Sequence, residues 1–140
     1  MFSQNRQQIR QMYFDVWAKM TMSSPLSSLE KVIASVIELH PEYHALFSKP
    51  DKLDQDYFVE HGETNPYLHM GLHISLHEQV QTNRPAGIRD IYQQLLIKTA
   101  SQHDADHLMI KCLAESLWQA QKQGTAPSEA DYLASLRALV

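Results

Sequence analysis

Histidine is the residue type through which this chain could do chemistry, and its spacing is far from random. His69 and His73 stand four apart in NPYLHMGLH, His103 and His107 repeat the interval in HDADH, and His40 and His44 do so in HPEYH. His77 extends the first of these pairs by one more turn. Eight histidines scattered through 140 positions would give only about 0.4 pairs at i,i+4, the interval that aligns side chains on one helix face. The chain has four such pairs. Each neutral imidazole offers one nitrogen as a ligand, so the clustering suits a metal site or a proton-handling pocket.

Residues at i,i+4 stand about 5–6 Å apart at Cβ, which lets both rings of a pair converge on one point. Two pairs on facing helices would bring four nitrogens around one ion, matching tetrahedral zinc geometry. The expected ligands are His69, His73, His103 and His107, with His40 and His44 as weaker candidates for a second centre or for support. Imidazole-rich sites also suit copper, nickel and iron, with zinc the first expectation. The competing reading is a buried histidine hydrogen-bond network without metal, in a module whose helical surface binds another protein. A pH sensor has less support, because nothing in the chain identifies a bistable element.

Carboxylates narrow the chemistry. No Glu-x-x-His occurs, and only Asp104 and His107 have that i,i+3 relation, which counts against a di-iron centre. HMGLH and HDADH keep the histidine spacing of HExxH but lack its glutamate, so the metalloprotease signature is missing. Glu42, Glu60, Asp106 and Glu115 are candidates for orienting ring N–H groups. No GxSxG, P-loop or GxGxxG pattern supports acyl transfer, nucleotide hydrolysis or dinucleotide binding. No reaction follows from the sequence, and whether the chain is an enzyme stays open.

The elements that must position these residues read as helices almost throughout. Ile9, Met12, Tyr13, Val16 and Met20 form a first stripe. A second helix carries Leu29, Val32, Ile33, Val36 and Ile37; it starts either at Ser24 with Pro25 or at a Ser27–Glu30 capping box, and Pro41 ends or bends it. Two further turns are expected over 41 to 47. Residues 48 to 65 are polar and without period, as in a lid or binding loop. Asn65 and Pro66 give a clear helix start, with that helix running to about Thr82. Pro85 opens another, with Ile88, Ile91, Tyr92 and Leu95 inward. A helix from about Gln102 to Gln123 stops at Gly124, and a last one follows Pro127 with Tyr132, Leu133, Leu136 and Leu139 together. The expectation is an all-α fold, a compact single-domain bundle of six to seven helices over residues 1–140.

On these helices the histidines take core positions. His69, Leu72, His73, Leu76 and Val80 form one stripe; His103, His107, Ile110, Ala114 and Leu117 form another; His40 continues Leu29, Ile33 and Val36. An imidazole buried without partners costs about 1–3 kcal/mol, so a cation or a closed network must compensate. His77 falls at a stripe's edge and His61 in the long loop. Trp17, Trp118 and the methionines read as core residues.

Bulk properties exclude several classes. The net charge is −4 and no run of five like charges occurs, so no basic stripe is available for nucleic acid. The apolar runs are too short for a bilayer and the polar N-terminus is not a signal peptide. Cys112 is the only cysteine, which suits a reducing cytoplasm and a small buried apolar role.

Taken together, FDVWAKM, HPEYH, TNPYLHMGLHISLHEQV, RPAGIRDIY, HDADHLMIKCLAESLWQAQ and GTAPSEADYLASLRAL resemble a bacterial family known only as domain of unknown function 1841, over nearly the whole chain. The resemblance implies a cytoplasmic bacterial protein of one compact domain whose motifs include the positions of His40, His44, His69, His73, His103 and His107. His77 departs from the usual pattern, and the resemblance brings no catalytic residues.

Overall fold

The computed structural model describes residues 6–58 and 64–140; His61 and Glu60 lie outside the described residues. The expected all-α fold is present. Among the described residues there are seven α-helices, two short 3-10 turns and no strand. None of these helices is long and apolar enough to cross a membrane. The chain divides into two compact units, Met1–Gly71 and Leu72–Val140, described in turn.

In the first unit, α1 (Arg6–Thr21) buries Arg10, Tyr13, Phe14 and Val16. This departs from the expected stripe: Ile9 is 39% exposed, while Arg10, one position on, is only 4% exposed. The cause is what Arg10 finds inside. Its Nη1 donates to the carbonyls of Leu53 (2.9 Å) and Gln55 (2.8 Å), and its guanidinium lies 4.4 Å from the centroid of the Tyr67 ring. Charge-assisted hydrogen bonds and a cation–π contact offset the desolvation of the guanidinium. Gln7 also reaches Asp54 at 2.7 Å and Arg6 reaches Asp56 at 2.8 Å. The polar segment after residue 48 is thus tied to α1 and includes a 3-10 turn at Pro50–Lys52.

Of the two possible starts for α2 (Ser28–Glu38), the second is used. The Ser27 hydroxyl accepts from the Glu30 N–H (3.2 Å), and the Glu30 carboxylate accepts from the Ser27 N–H (2.9 Å). The Lys19 ammonium, 2.6 Å from Glu30, and these serine bonds hold the Glu30 carboxyl below its ordinary range. Leu29 points outward at 54% exposure, leaving Ile33, Ala34, Val36 and Ile37 buried. Pro41 ends the helix, and a 3-10 turn (Pro41–Tyr43) and α3 (His44–Phe47) follow. Tyr13 and Phe14 meet Phe47 at centroid distances of 6.1 and 5.5 Å, and Tyr13 meets Tyr67 at 5.8 Å. Such aromatic pairs add about 0.5–1.5 kcal/mol each beyond their buried area.

α4 (Pro66–Thr82) begins where Asn65 and Pro66 indicate, with the Asn65 side chain accepting from the N–H groups of Tyr67 (3.0 Å) and Leu68 (3.2 Å). It runs continuously across the division at Gly71 and Leu72.

The second unit adds α5 (Ile88–Thr99), α6 (Gln102–Gln123) and α7 (Glu129–Arg137). Pro85 does not open α5; the helix starts three residues later, after Gly87 at φ +101°. The Asn83 side chain accepts from the N–H groups of Gly87 (3.2 Å) and Arg89 (3.1 Å), satisfying donors that an earlier start would have used differently. The Ser101 hydroxyl caps α6 through Asp104 N–H (3.2 Å), and Gly124 at φ +67° ends it. The buried line of α6 is Ala105, Met109, Ile110, Leu113 and Ala120, not the expected Ala114 and Leu117. Leu117 is 44% and Trp118 52% exposed, so Trp118 is not a core anchor; the Lys122 ammonium sits over its ring. Cys112 is half-buried rather than enclosed. Leu76, Ile88, Ile91, Leu95, Met109, Leu113, Tyr132 and Leu136 pack into one core, each aliphatic side chain contributing about 1.5–3 kcal/mol by leaving water. This core holds the first turns of α6, and with them HDADH, in place.

Candidate metal centre

In the first unit HPEYH lies at the end of α2, where a helix leaves carbonyls without intrahelical partners. Both histidines answer that need. His40, 1% exposed, donates from Nδ1 to the Val36 carbonyl at 2.8 Å. A carbonyl can only accept, so in neutral His40 the lone pair is on Nε2, the nitrogen a metal would use. The His44 Nε2 donates to the Ile37 carbonyl at 2.9 Å, and its ring lies against Trp17 at 4.6 Å. The two rings therefore serve different carbonyls. His69, half-buried on the first turns of α4, meets the His40 ring edge-on at 4.9 Å, and Tyr43 stacks on His40 at 5.4 Å.

In the second unit the histidines form a line from the surface inward. His103 is exposed, His107 half-buried and His73 only 4% exposed. The Nε2 atoms of His73 and His107 face each other at 3.2 Å, and the Nδ1 atoms of His107 and His103 at 3.3 Å. On the far side of His73, Nδ1 lies 3.8 Å from Asp106 Oδ2, while the Tyr92 hydroxyl donates to Asp106 Oδ1 at 2.7 Å. Burial pushes the Asp106 carboxyl up, against the opposing pull of the Tyr92 bond and of His107. Burial and the Asp106 bond push the Tyr92 hydroxyl up as well. His77 is exposed but lines, with His73, Tyr92, Gln102 and Asp106, a cavity of about 40 Å³, room for an ordered water.

Of Glu42, Asp106 and Glu115, the described carboxylates expected to orient ring N–H groups, Asp106 lies beside a histidine of this centre. Glu42 is exposed, and Glu115 accepts from Gln119 at 3.0 Å on an exposed face. Tyr92 was read as an inward core residue, and its tie to Asp106 was missed. An i−14 pairing has no local spacing to announce it. Arg10 was missed for the same reason.

The sequence pattern of the DUF1841 family, described as a domain of unknown function, matches residues 5–138. The chain belongs to the DUF1841 family. No curated protein matches the chain, and no solved structure does.

For this DUF1841 chain the site itself must therefore carry the argument. Two ring nitrogens 3.2 Å apart either share a proton or face a common cation. With Zn–N bonds of about 2.0–2.1 Å, neighbouring ligands in a tetrahedron stand about 3.3–3.4 Å apart. The His73–His107 separation is close to that edge.

Proposed function

We propose that this protein binds one transition-metal ion, zinc in the first instance, through its paired histidines, with the facing His73 and His107 as the central ligands. The observation that carries the reading is the facing Nε2 pair of His73 and His107, with Asp106 on the opposite edge of the His73 ring. A carboxylate beyond a histidine fixes the proton on the far nitrogen and aims the lone pair at the metal. His40 has the same design, with the Val36 carbonyl as its outer partner. Of the residues expected from spacing, His73 is buried, His107 is half-buried and His103 lies at the surface. Four imidazoles would close the coordination sphere, which favours a structural ion over a hydrolytic one. If one ligand gives way to water, metal-activated hydrolysis becomes accessible.

The proposal includes a single cooperative domain over residues 1–140 in a bacterial cytoplasm, consistent with a lone cysteine. It leaves nucleic acid aside as a partner, given the net charge of −4. The test is elemental analysis of protein purified without a nickel column or chelator. One equivalent of metal is expected, lost in His73→Ala and in His107→Ala while far-UV circular dichroism stays helical. Metal-free protein whose melting temperature ignores zinc, copper, iron and nickel would sink the proposal.

A second reading is favoured by one specific feature. The line His103, His107, His73, Asp106 also accommodates a one-way series of N–H donors ending on the carboxylate, a buried network that needs no ion. The chain would then be a protein-interaction module. Chelator separates the two, since it destabilises only the metal-bound protein.

A further inference from the structure

We infer that His103 and His107, with Asp104, form an outer capture position for a divalent transition ion, from which the ion passes to the buried set. This rests on the proposed metal site for its destination, but not for its own existence. His103 and His107 occupy successive turns at the start of α6 with their Nδ1 atoms 3.3 Å apart, the separation of two imidazoles sharing one ion. The Asp104 carboxylate lies 3.6 Å from His103 Nδ1 and adds a negative charge beside that ring. That charge matters, because the N-terminus of a helix opposes a cation. Exposure falls stepwise along the line: His103 and Asp104 have side chains 59% and 66% exposed, whereas that of His73 is 3% exposed.

His107 is shared by the two positions, and its chemistry sets the order of events. A neutral imidazole has one lone pair and one N–H. An ion held outside uses the His107 Nδ1 lone pair, with the proton on Nε2. An ion held inside uses Nε2, with the proton on Nδ1 and donated to His103. Transfer therefore breaks the ion's bonds to the two Nδ1 atoms, forms bonds to the Nε2 atoms of His107 and His73, and moves the His107 proton from Nε2 to Nδ1 through water. The two positions exclude each other, so the protein saturates with one ion and the outer position empties as the inner one fills.

Stopped-flow uptake of Zn²⁺ against a chromophoric chelator tests this. His103→Ala is exposed and should fold normally. It is expected to slow association at least tenfold while leaving the equilibrium Kd within threefold of wild type. An unchanged association rate overturns the inference. So does a Kd that weakens with no change in association rate, which would make His103 a ligand of the tight site instead. The outer position is tested separately with Cu²⁺ in a His73→Gln background whose helicity has been verified. One weak equivalent with nitrogen couplings in the electron paramagnetic spectrum is expected, abolished by adding His103→Ala. If wild type lacks a tight site but this weak site exists, the proposed function fails and the outer position stands. If wild type binds tightly and the weak site is absent, the capture position fails and the proposed function stands.

Discussion

His73 has a different neighbour at each ring nitrogen, and that asymmetry is what makes it more than a polar residue in a core. Asp106 lies 3.8 Å away on the Nδ1 side, His107 faces Nε2, and the ring between them is buried. Asp106→Asn keeps an acceptor for the Tyr92 hydroxyl but removes the charge facing His73. Metal affinity should fall about 10–100-fold with the fold intact, read by competition with a chelator of known affinity. An unchanged affinity would show that Asp106 does not orient the ring. Spacing alone singled out His69, His73, His103 and His107, because i,i+4 is a local relation. His40 lies inside, as its place on the helical stripe indicated, whereas the exposure of His103 was not legible. One helical position turns a side chain by 100°, and the roll of a helix is decided by what packs against it. Here Ala105, Asp106 and Met109 face inward, which leaves His103 at the surface.

Among the elements, α1 and α4 show how much one residue can decide. In the apolar stripe of α1, Tyr13 and Val16 are buried as expected, but Ile9 yields its place to Arg10, which enters the interior with two carbonyls and two aromatic rings to receive it. The start of α4 was legible and that of α2 was narrowed to two caps because caps are local chemistry, whereas the start of α5 depended on Asn83 reaching forward four and six residues. In α4, Gly71 lies between His69 and His73 with nothing within 4 Å of where a Cβ would stand, and it has an ordinary helical backbone. Gly71→Ala should therefore stabilise the protein by about 0.5–1 kcal/mol, since alanine loses less backbone freedom on entering a helix. Urea denaturation measures it. A destabilised variant would mean that the missing side chain serves the neighbouring histidines.

At the scale of the whole molecule, the aromatic cluster sets an alkaline limit. Burial pushes the Tyr13 hydroxyl up from 10.0 to about 12. A raised folded pKa means that the folded state keeps a proton the unfolded chain has lost. Stability from this source is complete below pH 10 and is lost as the pH rises toward about 12. Tyr13→Phe should flatten that fall by about one proton, seen as a shallower slope of unfolding free energy against pH. An identical slope in both proteins would exclude Tyr13 as its source. Metal acts on stability differently. An ion present at 100 times its Kd adds about 2.7 kcal/mol through binding to the folded state alone.

The chain has two tryptophans, one in each compact unit. Trp17 donates to Ser48 Oγ at 3.2 Å and lies against His44, whereas Trp118 stands in solvent beneath Lys122. Their light should differ accordingly: bluer emission from Trp17 and redder emission from Trp118. Trp17→Phe and Trp118→Phe thus turn the protein into two single-colour reporters, one for each half of the chain. If residues 1–140 are one domain, the two colours should change at the same denaturant concentration, and added zinc should move both midpoints equally. Midpoints that separate would mean that the halves unfold independently, and a shift in one colour alone would show which half feels the ion.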